Sequence, residues 1–226
     1  MALIRLGLVF GSSQVAEGRR LLFSTQRDMD IVLEESDGLV AIESLSEASV
    51  DVVLMDVRLK SLSGLETATR FFRRNVGSGE RLPRFILTGP FSSDQFTIDA
   101  IRAGASAVVT EDQTAEELLD SVRALSAKEF SVDNASWFEF FQAQGLERGT
   151  NPRWLLRLSN LEPKHRQAFE LLCSGMNEPE IASQLKLSAT STRWAVEEVM
   201  RNLGVASRPQ LALAVYEAVN PNAGQG

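Results

Sequence analysis

The stretch DVVLMDVRLKSLSGLE (51–66) is the part of the chain that decides its fold. The apolar run VVLM ends on Asp56, and a short polar segment then leads to Gly64 and a helical pattern. A short apolar run of this kind is typical of a strand that is buried on both faces of a parallel sheet. Asp56 would then stand at the carboxyl end of an inner strand, which is where parallel α/β sheets hold their ligands.

Four further apolar runs flank this one and alternate with amphipathic helical patterns. We predict five strands, at 4–10, 29–35, 51–56, 84–89 and 106–110. Between and after them we predict helices near 14–25, 38–47, 64–74, 94–103 and 114–126. This alternation predicts an α/β fold with a doubly wound, five-stranded parallel sheet.

The pattern changes after residue 127, where the strand signals stop. We predict a first domain at 1–127, a helical linker at 128–152 and an all-α domain at 153–226. The linker holds one aromatic-rich helix near 133–144, whose rings are expected to pack at a domain or dimer interface. In the all-α domain we predict helices at 153–158, 163–174, 178–185, 189–202 and 208–219.

Composition limits the classes of protein that the chain can belong to. The net charge is −7 over 226 residues, yet from residue 150 onward eight Lys or Arg stand against seven Glu. The acidic first half therefore argues against a nucleic-acid surface there, whereas the second half permits one. A single histidine and a single cysteine exclude a disulfide framework and a His/Cys zinc site, and no cofactor is expected. No signal peptide or membrane-spanning stretch is evident, so we expect a cytoplasmic location without membrane contact.

Short motifs in the first domain occur in a fixed order. They are Glu17-Gly18, Ser36-Asp37-Gly38, DVVLMDVRLKSLSGLE (51–66), ILTG (86–89) and RAGASAVVTED (102–112). Across residues 4–126 they resemble the receiver domain of a bacterial response regulator. The resemblance implies that Asp56 stands at the position that accepts a phosphoryl group and that Thr88 is the switch hydroxyl.

The residues that would make Asp56 reactive are missing. Where the resemblance places two adjacent acids after the first strand, this chain has Phe10 and Gly11, and Glu111 replaces the lysine that ends the fifth strand. Mg²⁺ needs oxygen ligands, and a carboxylate at 111 would repel an incoming phosphoryl group. We therefore expect a degenerate phospho-acceptor site without a metal ion, and no productive exchange with a sensor kinase.

Asp56 then needs another explanation, and two remain open. A partly buried carboxylate without a metal must be paired, hydrogen-bonded or protonated. Asp56 could pair with Arg58 or Lys60 and hold the loop in one conformation, or it could be a solvated carboxylate at the mouth of the loop. Phe10 could fill the vacated metal position, or it could line a site for a small molecule or a partner protein.

The segment LEPKHRQAFELLCSGMNEPEIASQLKLSATSTRWAVEEVMRNLGVASRPQLA (161–212) carries a second resemblance. Over residues 158–219 the chain resembles the LuxR-type helix-turn-helix domain of NarL/FixJ-class response regulators. The resemblance implies that helix 178–185 crosses the DNA backbone and that helix 189–202 enters the major groove. The predicted DNA contacts are Lys186, Ser188, Thr190, Ser191, Arg193, Trp194, Arg201 and Arg208.

These residues have different expected roles. Lys186 and Arg208 should contact phosphates, whereas Arg193 could contact a phosphate or bond bidentately to guanine. Ser188 should cap the recognition helix. Trp194 could contact a thymine methyl group, or it could be buried against the first domain or a second subunit.

Some residues depart from the pattern that the resemblance implies. Glu197 and Glu198 put negative charge near the groove, which could weaken binding to a polyanion. His165 stands where a glutamate is usual, and we expect it at the surface or at a helix cap. The last helix could form a dimer contact or pack inside its own domain through its apolar residues, which are Leu211, Val215 and Val219.

These features together predict a DNA-binding transcriptional regulator of the response-regulator type. We expect it to bind double-stranded DNA as a homodimer, to have no enzymatic activity and to work without aspartyl phosphorylation. One alternative is a protein-interaction or ligand-sensing module with weak or no DNA binding. Another is a conventional regulator that is activated by phosphorylation of Asp56.

Overall fold

The computed structural model describes residues 3–76, 78, 81–89, 94–110, 113–127, 134–146 and 161–218. Contacts between Cα atoms divide the chain into two compact units, Met1–Phe130 and Ser131–Gly226. The predicted helix at 153–158 lies outside the described residues. Within the described ranges, no helix is both long and apolar enough to cross a bilayer.

The first unit is a parallel sheet of five strands with the order β2-β1-β3-β4-β5. The strands are β1 Ile4–Val9, β2 Met29–Glu35, β3 Val52–Asp56, β4 Arg84–Gly89 and β5 Ala107–Thr110. The helices are α1 Ser13–Ser24, α2 Gly38–Glu47, α3 Gly64–Asn75, α4 Asp94–Arg102 and α5 Ala115–Ser126. The predicted doubly wound sheet is confirmed, and its strand order reverses between β1 and β3, where such sheets open their ligand crevice.

Strand β3 lies at the centre of the sheet, and each of its five residues is buried. Val52 and Leu54 belong to a core cluster that also contains Phe10 of the β1 end and Phe23 of α1. Burial on both faces explains why this strand reads as a continuous apolar run. Helices α1, α2, α3 and α5 begin at side-chain caps, and the cap of α5 is a capping box formed by Thr114 and Glu117.

The second unit is helical. Its described helices are α6 Asn134–Ala143, α7 Pro163–Cys173, α8 Glu178–Leu185, α9 Ala189–Leu203 and α10 Arg208–Ala218. A three-residue turn joins α8 to α9: Lys186 ends α8 in a left-handed conformation, and the Ser188 side chain caps α9 by accepting from the Ser191 N–H at 3.1 Å. The inner face of α9 follows the 3.6-residue helical period, and its members are all buried: Thr192, Val196, Val199 and Leu203.

The aromatic residues of the predicted linker helix pack inside the second unit. The rings of Phe138 and Phe141 lie 5.7 and 5.5 Å from the ring of Tyr216 on α10. The hydroxyl of Tyr216 donates to the carbonyl of Leu146 at 3.1 Å. Helix α6 is therefore fixed to α10 through rings and a hydrogen bond.

Candidate functional site

Asp56 closes β3 and is held by a residue two positions further along the chain. Its carboxyl oxygen Oδ1 accepts from the Arg58 backbone N–H at 2.7 Å and from Arg58 Nε at 3.2 Å. The other oxygen, Oδ2, accepts from Arg58 Nη2 at 3.2 Å. Asp56 is only 5% exposed, and it is the register partner of the buried Thr88 on β4. The side chain is therefore paired rather than solvated.

Lys60 takes a different partner. It forms an isolated parallel bridge with Asp37, and its carbonyl accepts from the Gly38 N–H at 3.1 Å. The pKa of Asp37 is lowered, first by the hydrogen bond from Ser61 at 2.5 Å and more weakly by the charge of Lys60. Of the two predicted cationic partners, only Arg58 is shown in contact with the Asp56 carboxylate, and Lys60 ties the loop to the end of β2.

The same loop also packs directly on the end of β1. A Cβ atom added to Gly11 would approach the carbonyl oxygen of Arg58 to under 3.0 Å and the Cα of Leu59 to 3.2 Å. Real Cβ atoms essentially never come as close as the first of these contacts. Backbone of the loop after β3 therefore fills the space in which a side chain at residue 11 would lie.

Phe10 and Ser12, on either side of Gly11, serve the fold. Phe10 is buried in the core cluster with Phe23, Val109 and Leu118, so it packs as an ordinary core residue. Ser12 is the N-cap of α1, and its hydroxyl accepts from the Val15 N–H. Neither residue offers a carboxylate to the edge of the sheet.

These residues do not fit the Mg²⁺ ion that the receiver resemblance implies. Mg²⁺ would require several oxygen ligands in near-octahedral geometry. In the part of the chain that the structure describes, no group of three or more His, Cys, Asp or Glu residues could hold a metal ion. Asp56 is bonded to a guanidinium, whose positive charge would repel a cation. Glu111 lies outside the described residues.

The predicted DNA-contacting residues lie around the α8–α9 turn, along α9 and, for Arg208, at the start of α10. Arg193 and Arg208 are partly exposed, and the other six are exposed: Lys186, Ser188, Thr190, Ser191, Trp194 and Arg201. The hydroxyls of Ser188 and Ser191 lie 2.9 Å apart beside the start of α9. The turn and the outer face of α9 thus present hydroxyls, an indole and cations on one helix-turn-helix surface.

The ring of Trp194 packs against two residues of α7, His165 and Lys164. Trp194 is 48% exposed, its ring meets that of His165 edge-on at 5.0 Å, and Lys164 Nζ lies 4.8 Å from its centroid. The expectation that His165 would be a surface or capping residue is wrong, because its side chain is only 3% exposed. His165 lies on the inner side of α7 and packs against α9, so a residue type that is common at surfaces here forms part of the interior.

Acids lie beside the three predicted DNA-contacting arginines. Arg208 Nη2 lies 2.5 Å from Glu178 Oε1, and Arg193 Nε lies 4.0 Å from Glu178 Oε2. Arg201 forms an ion pair with Glu198, which lies three residues earlier on α9. Burial lowers the pKa of Arg208, while Glu178 and Glu197 act in the opposite direction.

Sequence reasoning did not single out Glu178. It is separated by 15 and 30 residues from the arginines that it meets, so no local motif or periodicity brings the three together. Only the tertiary packing of α8 against the later helices creates this contact.

The residues predicted for a dimer contact lie differently. Leu211 and Val215 are buried in the core of the second unit. This placement matches packing inside the domain, and a dimer contact through α10 stays a prediction. Val219 lies outside the described residues.

Comparison with known proteins agrees with both halves of the chain. The response regulator receiver domain matches residues 12–123, and the family of bacterial regulatory proteins called luxR matches residues 159–215. The nitrate/nitrite response regulator protein NarP of Escherichia coli (strain K12) is 30% identical over 194 residues, which is 84% of each chain. The DNA-binding transcriptional activator DevR/DosR of Mycobacterium tuberculosis is 28% identical over 218 residues, which is 95% of each chain.

A similar solved structure is that of a LuxR-family two-component response regulator from Aurantimonas sp. SI85-9A1. It has a TM-score of 0.51 and 28% identity, and the match covers 56% of this chain and 86% of that one. The receiver sheet, the helix-turn-helix unit and these relatives lead to one conclusion. This chain belongs to the LuxR-type response regulators of the NarL/FixJ class and is a DNA-binding transcriptional regulator.

Proposed function

We propose that this regulator controls transcription without phosphorylation of Asp56. The observation that carries the proposal is the contact between Asp56 and Arg58, in which both carboxyl oxygens accept hydrogen bonds from one arginine. The guanidinium supplies internally the positive charge that a metal ion would bring to an ordinary receiver. Asp56 then acts as a structural anchor for the loop that follows β3.

Physical requirements of phosphoryl transfer support the same proposal. The transferred group carries heavy negative charge, which enzymes and receivers neutralise with a metal ion and a cationic side chain. Here the loop backbone packs on Gly11, and Phe10 belongs to the core, so neither position can supply metal ligands. The nucleophilic oxygen of Asp56 would also have to leave its hydrogen bonds to Arg58 before it could attack a donor.

The output surface of the proposal is the helix-turn-helix unit. Helix α9 would enter the major groove, with Trp194 against a thymine methyl group and Arg193 at a phosphate or a guanine. Lys186 and Arg208 would position the domain on phosphates, together with the hydroxyls of Ser188, Thr190 and Ser191 and the guanidinium of Arg201. We propose that the protein acts as a homodimer, and that its activity is set by its abundance, by dimerisation or by a ligand or protein that binds the receiver.

Selection of genomic DNA fragments by the untreated full-length protein tests this function. We expect an inverted motif to be enriched, with an affinity that falls steeply as salt is raised. The Asp56→Asn variant, which has no acceptor carboxylate, should enrich the same motif. Enrichment that appears only after treatment with a small phosphodonor and Mg²⁺, and only with Asp56 intact, would favour the conventional phosphorylated regulator instead.

A further inference from the structure

Glu178 opens α8 and lies between two arginines that come from two later helices. Its Oε1 atom lies 2.5 Å from Nη2 of Arg208, at the start of α10, and its Oε2 atom lies 4.0 Å from Nε of Arg193, on the second turn of α9. Each arginine thus meets a different oxygen of one carboxylate. The side chains of Glu178 and Arg208 are each 26% exposed, so the group is partly withdrawn from water but remains open to the surface.

The start of α8 does not depend on the Glu178 carboxylate for its cap. Asn177 is the N-cap, and its Oδ1 accepts from the Glu180 N–H at 3.0 Å. In return, Glu180 Oε2 accepts from the Asn177 N–H at 2.8 Å, which completes a capping box. The chemistry that involves the Glu178 carboxylate is therefore its contact with the two arginines.

Two guanidinium groups around one anion are also the arrangement that recognises a phosphate. Phosphate and carboxylate oxygens accept the same charge-assisted hydrogen bonds from arginine. Burial lowers the pKa of Arg208 and the charge of Glu178 raises it, so a neighbouring anion stabilises this partly buried guanidinium. An anion is favoured at this position, whether it comes from the protein or from a bound molecule.

We propose that the Glu178 carboxylate occupies the position at which Arg193 and Arg208 bind a DNA backbone phosphate, and that the phosphate displaces it when DNA binds. The inference rests on the proposed function, because it takes α9 and the start of α10 to be the DNA-facing surface. Glu178 is then an internal competitor for Arg193 and Arg208. It holds the two arginine side chains in place before DNA arrives, and it lowers the affinity of the protein for DNA of any sequence.

The test compares the Glu178→Gln variant of the full-length protein with the Glu170→Gln variant. Glu170 is exposed on α7, so its replacement makes the same change in net charge away from the two arginines. Affinity for a short duplex of random sequence is measured over a range of salt concentrations. Glu178→Gln should bind DNA about tenfold more tightly than the wild type at low salt. The slope of its log binding constant against log salt concentration should be steeper by about one. Glu170→Gln should stay within about twofold of the wild type.

A second readout needs no DNA. Inorganic phosphate should raise the melting temperature of Glu178→Gln by about 3 °C or more, and that of Glu170→Gln by much less. The double variant Glu178→Gln/Arg208→Gln should lose both the phosphate effect and the gain in DNA affinity. If Glu178→Gln does not fold, Glu178→Asp, which withdraws the carboxylate by one methylene group, should show both effects at smaller size.

The outcomes separate this inference from the proposed function. Glu178→Gln affinity that equals or falls below that of Glu170→Gln would overturn the inference, because Glu178 would then merely position the arginines. If phosphate raises the melting temperature of Glu178→Gln but no variant binds DNA, the anion-binding position is supported and the proposed function is refuted. If no variant binds DNA and phosphate raises the melting temperatures of Glu178→Gln and Glu170→Gln equally, the inference is overturned as well.

Discussion

The carbonyl oxygen of Arg58 lies against the Cα of Gly11, in the space that any larger residue at position 11 would need for its Cβ. The backbone of the loop after β3 therefore fills the space of a side chain at position 11, and Arg58 holds the carboxylate of Asp56. Restoring an acid at position 11 alone would therefore create a clash before it could create a metal ligand.

A pair of glycine substitutions measures this packing. Gly11→Ala should lower the free energy of unfolding by about 1–3 kcal/mol, because the new Cβ meets backbone that cannot rotate away. Gly18→Ala is the control, since nothing lies within 4 Å of its Cβ position on α1. That control should raise the free energy of unfolding by about 0.5–1 kcal/mol through helix propensity. Equal urea midpoints for the two variants would contradict the packing at Gly11.

Asp56 and Arg58 should be coupled in stability. Asp56→Asn removes the charge from the contact but keeps an oxygen that can accept from the Arg58 backbone, so we expect a loss of about 1 kcal/mol. Arg58→Gln should cost a similar amount, and the double variant should lose much less than the two single losses combined. Thermal unfolding measures all three. An unchanged melting temperature in Asp56→Asn would show that the pair does not lock the loop.

Stability in acid should depend on Asp51, which directly precedes β3, at the opposite end of that strand from Asp56. The pKa of Asp51 is lowered, first by the hydrogen bond from the Arg5 side chain, which also forms an ion pair with it at 3.0 Å. A carboxyl whose pKa is lower in the folded state stabilises the protein above its unfolded pKa of about 4. This contribution is lost as the pH falls through the folded pKa.

The variant Asp51→Asn should therefore be less stable at neutral pH and lose less stability between about pH 5 and pH 2. Urea midpoints measured across this range give the comparison. Asp30→Asn, which changes an exposed carboxyl on β2, is the matched control and should follow the wild-type curve. If the urea midpoint of Asp51→Asn falls with pH as steeply as that of the wild type, the contact with Arg5 does not contribute to stability in acid.

Trp194 should read thymine through its methyl group. In the selected motif, replacing single thymines by uracil removes one methyl group each and should lower wild-type affinity about threefold to fivefold at the contacted position. Trp194→Ala should bind the two duplexes equally, because the apolar contact is already lost. If wild-type binding ignores uracil at each position of the motif, Trp194 has a packing role over His165 instead of a base contact.

Local patterns were sufficient to predict the strands and helices that the structure describes. The apolar run before Asp56 is a strand buried on both faces, and the capping box at Thr114 starts α5 where expected. The inner face of α9 follows its 3.6-residue period through Val196 and Val199. In each case the determinant lies within a few residues of the feature, which is why the sequence alone is enough.

Contacts between distant segments could not be predicted in the same way. Gly11 looks like a simple loss of an acid until the loop at Arg58 is seen against it. His165 is polar and lies on a helix, yet the packing of α7 against α9 buries it under Trp194. Glu178 carries no local signal at all, because its role depends on where α9 and α10 bring two arginines.

The most direct test of the central claim compares two portions of one preparation of full-length protein. One portion is incubated with acetyl phosphate and Mg²⁺, and the other is left untreated. Intact mass reports any phosphoryl group, and affinity for the selected motif reports output. We predict no added phosphoryl mass on Asp56 and the same affinity in both samples. A phosphoryl group on Asp56 together with tighter DNA binding would contradict the account.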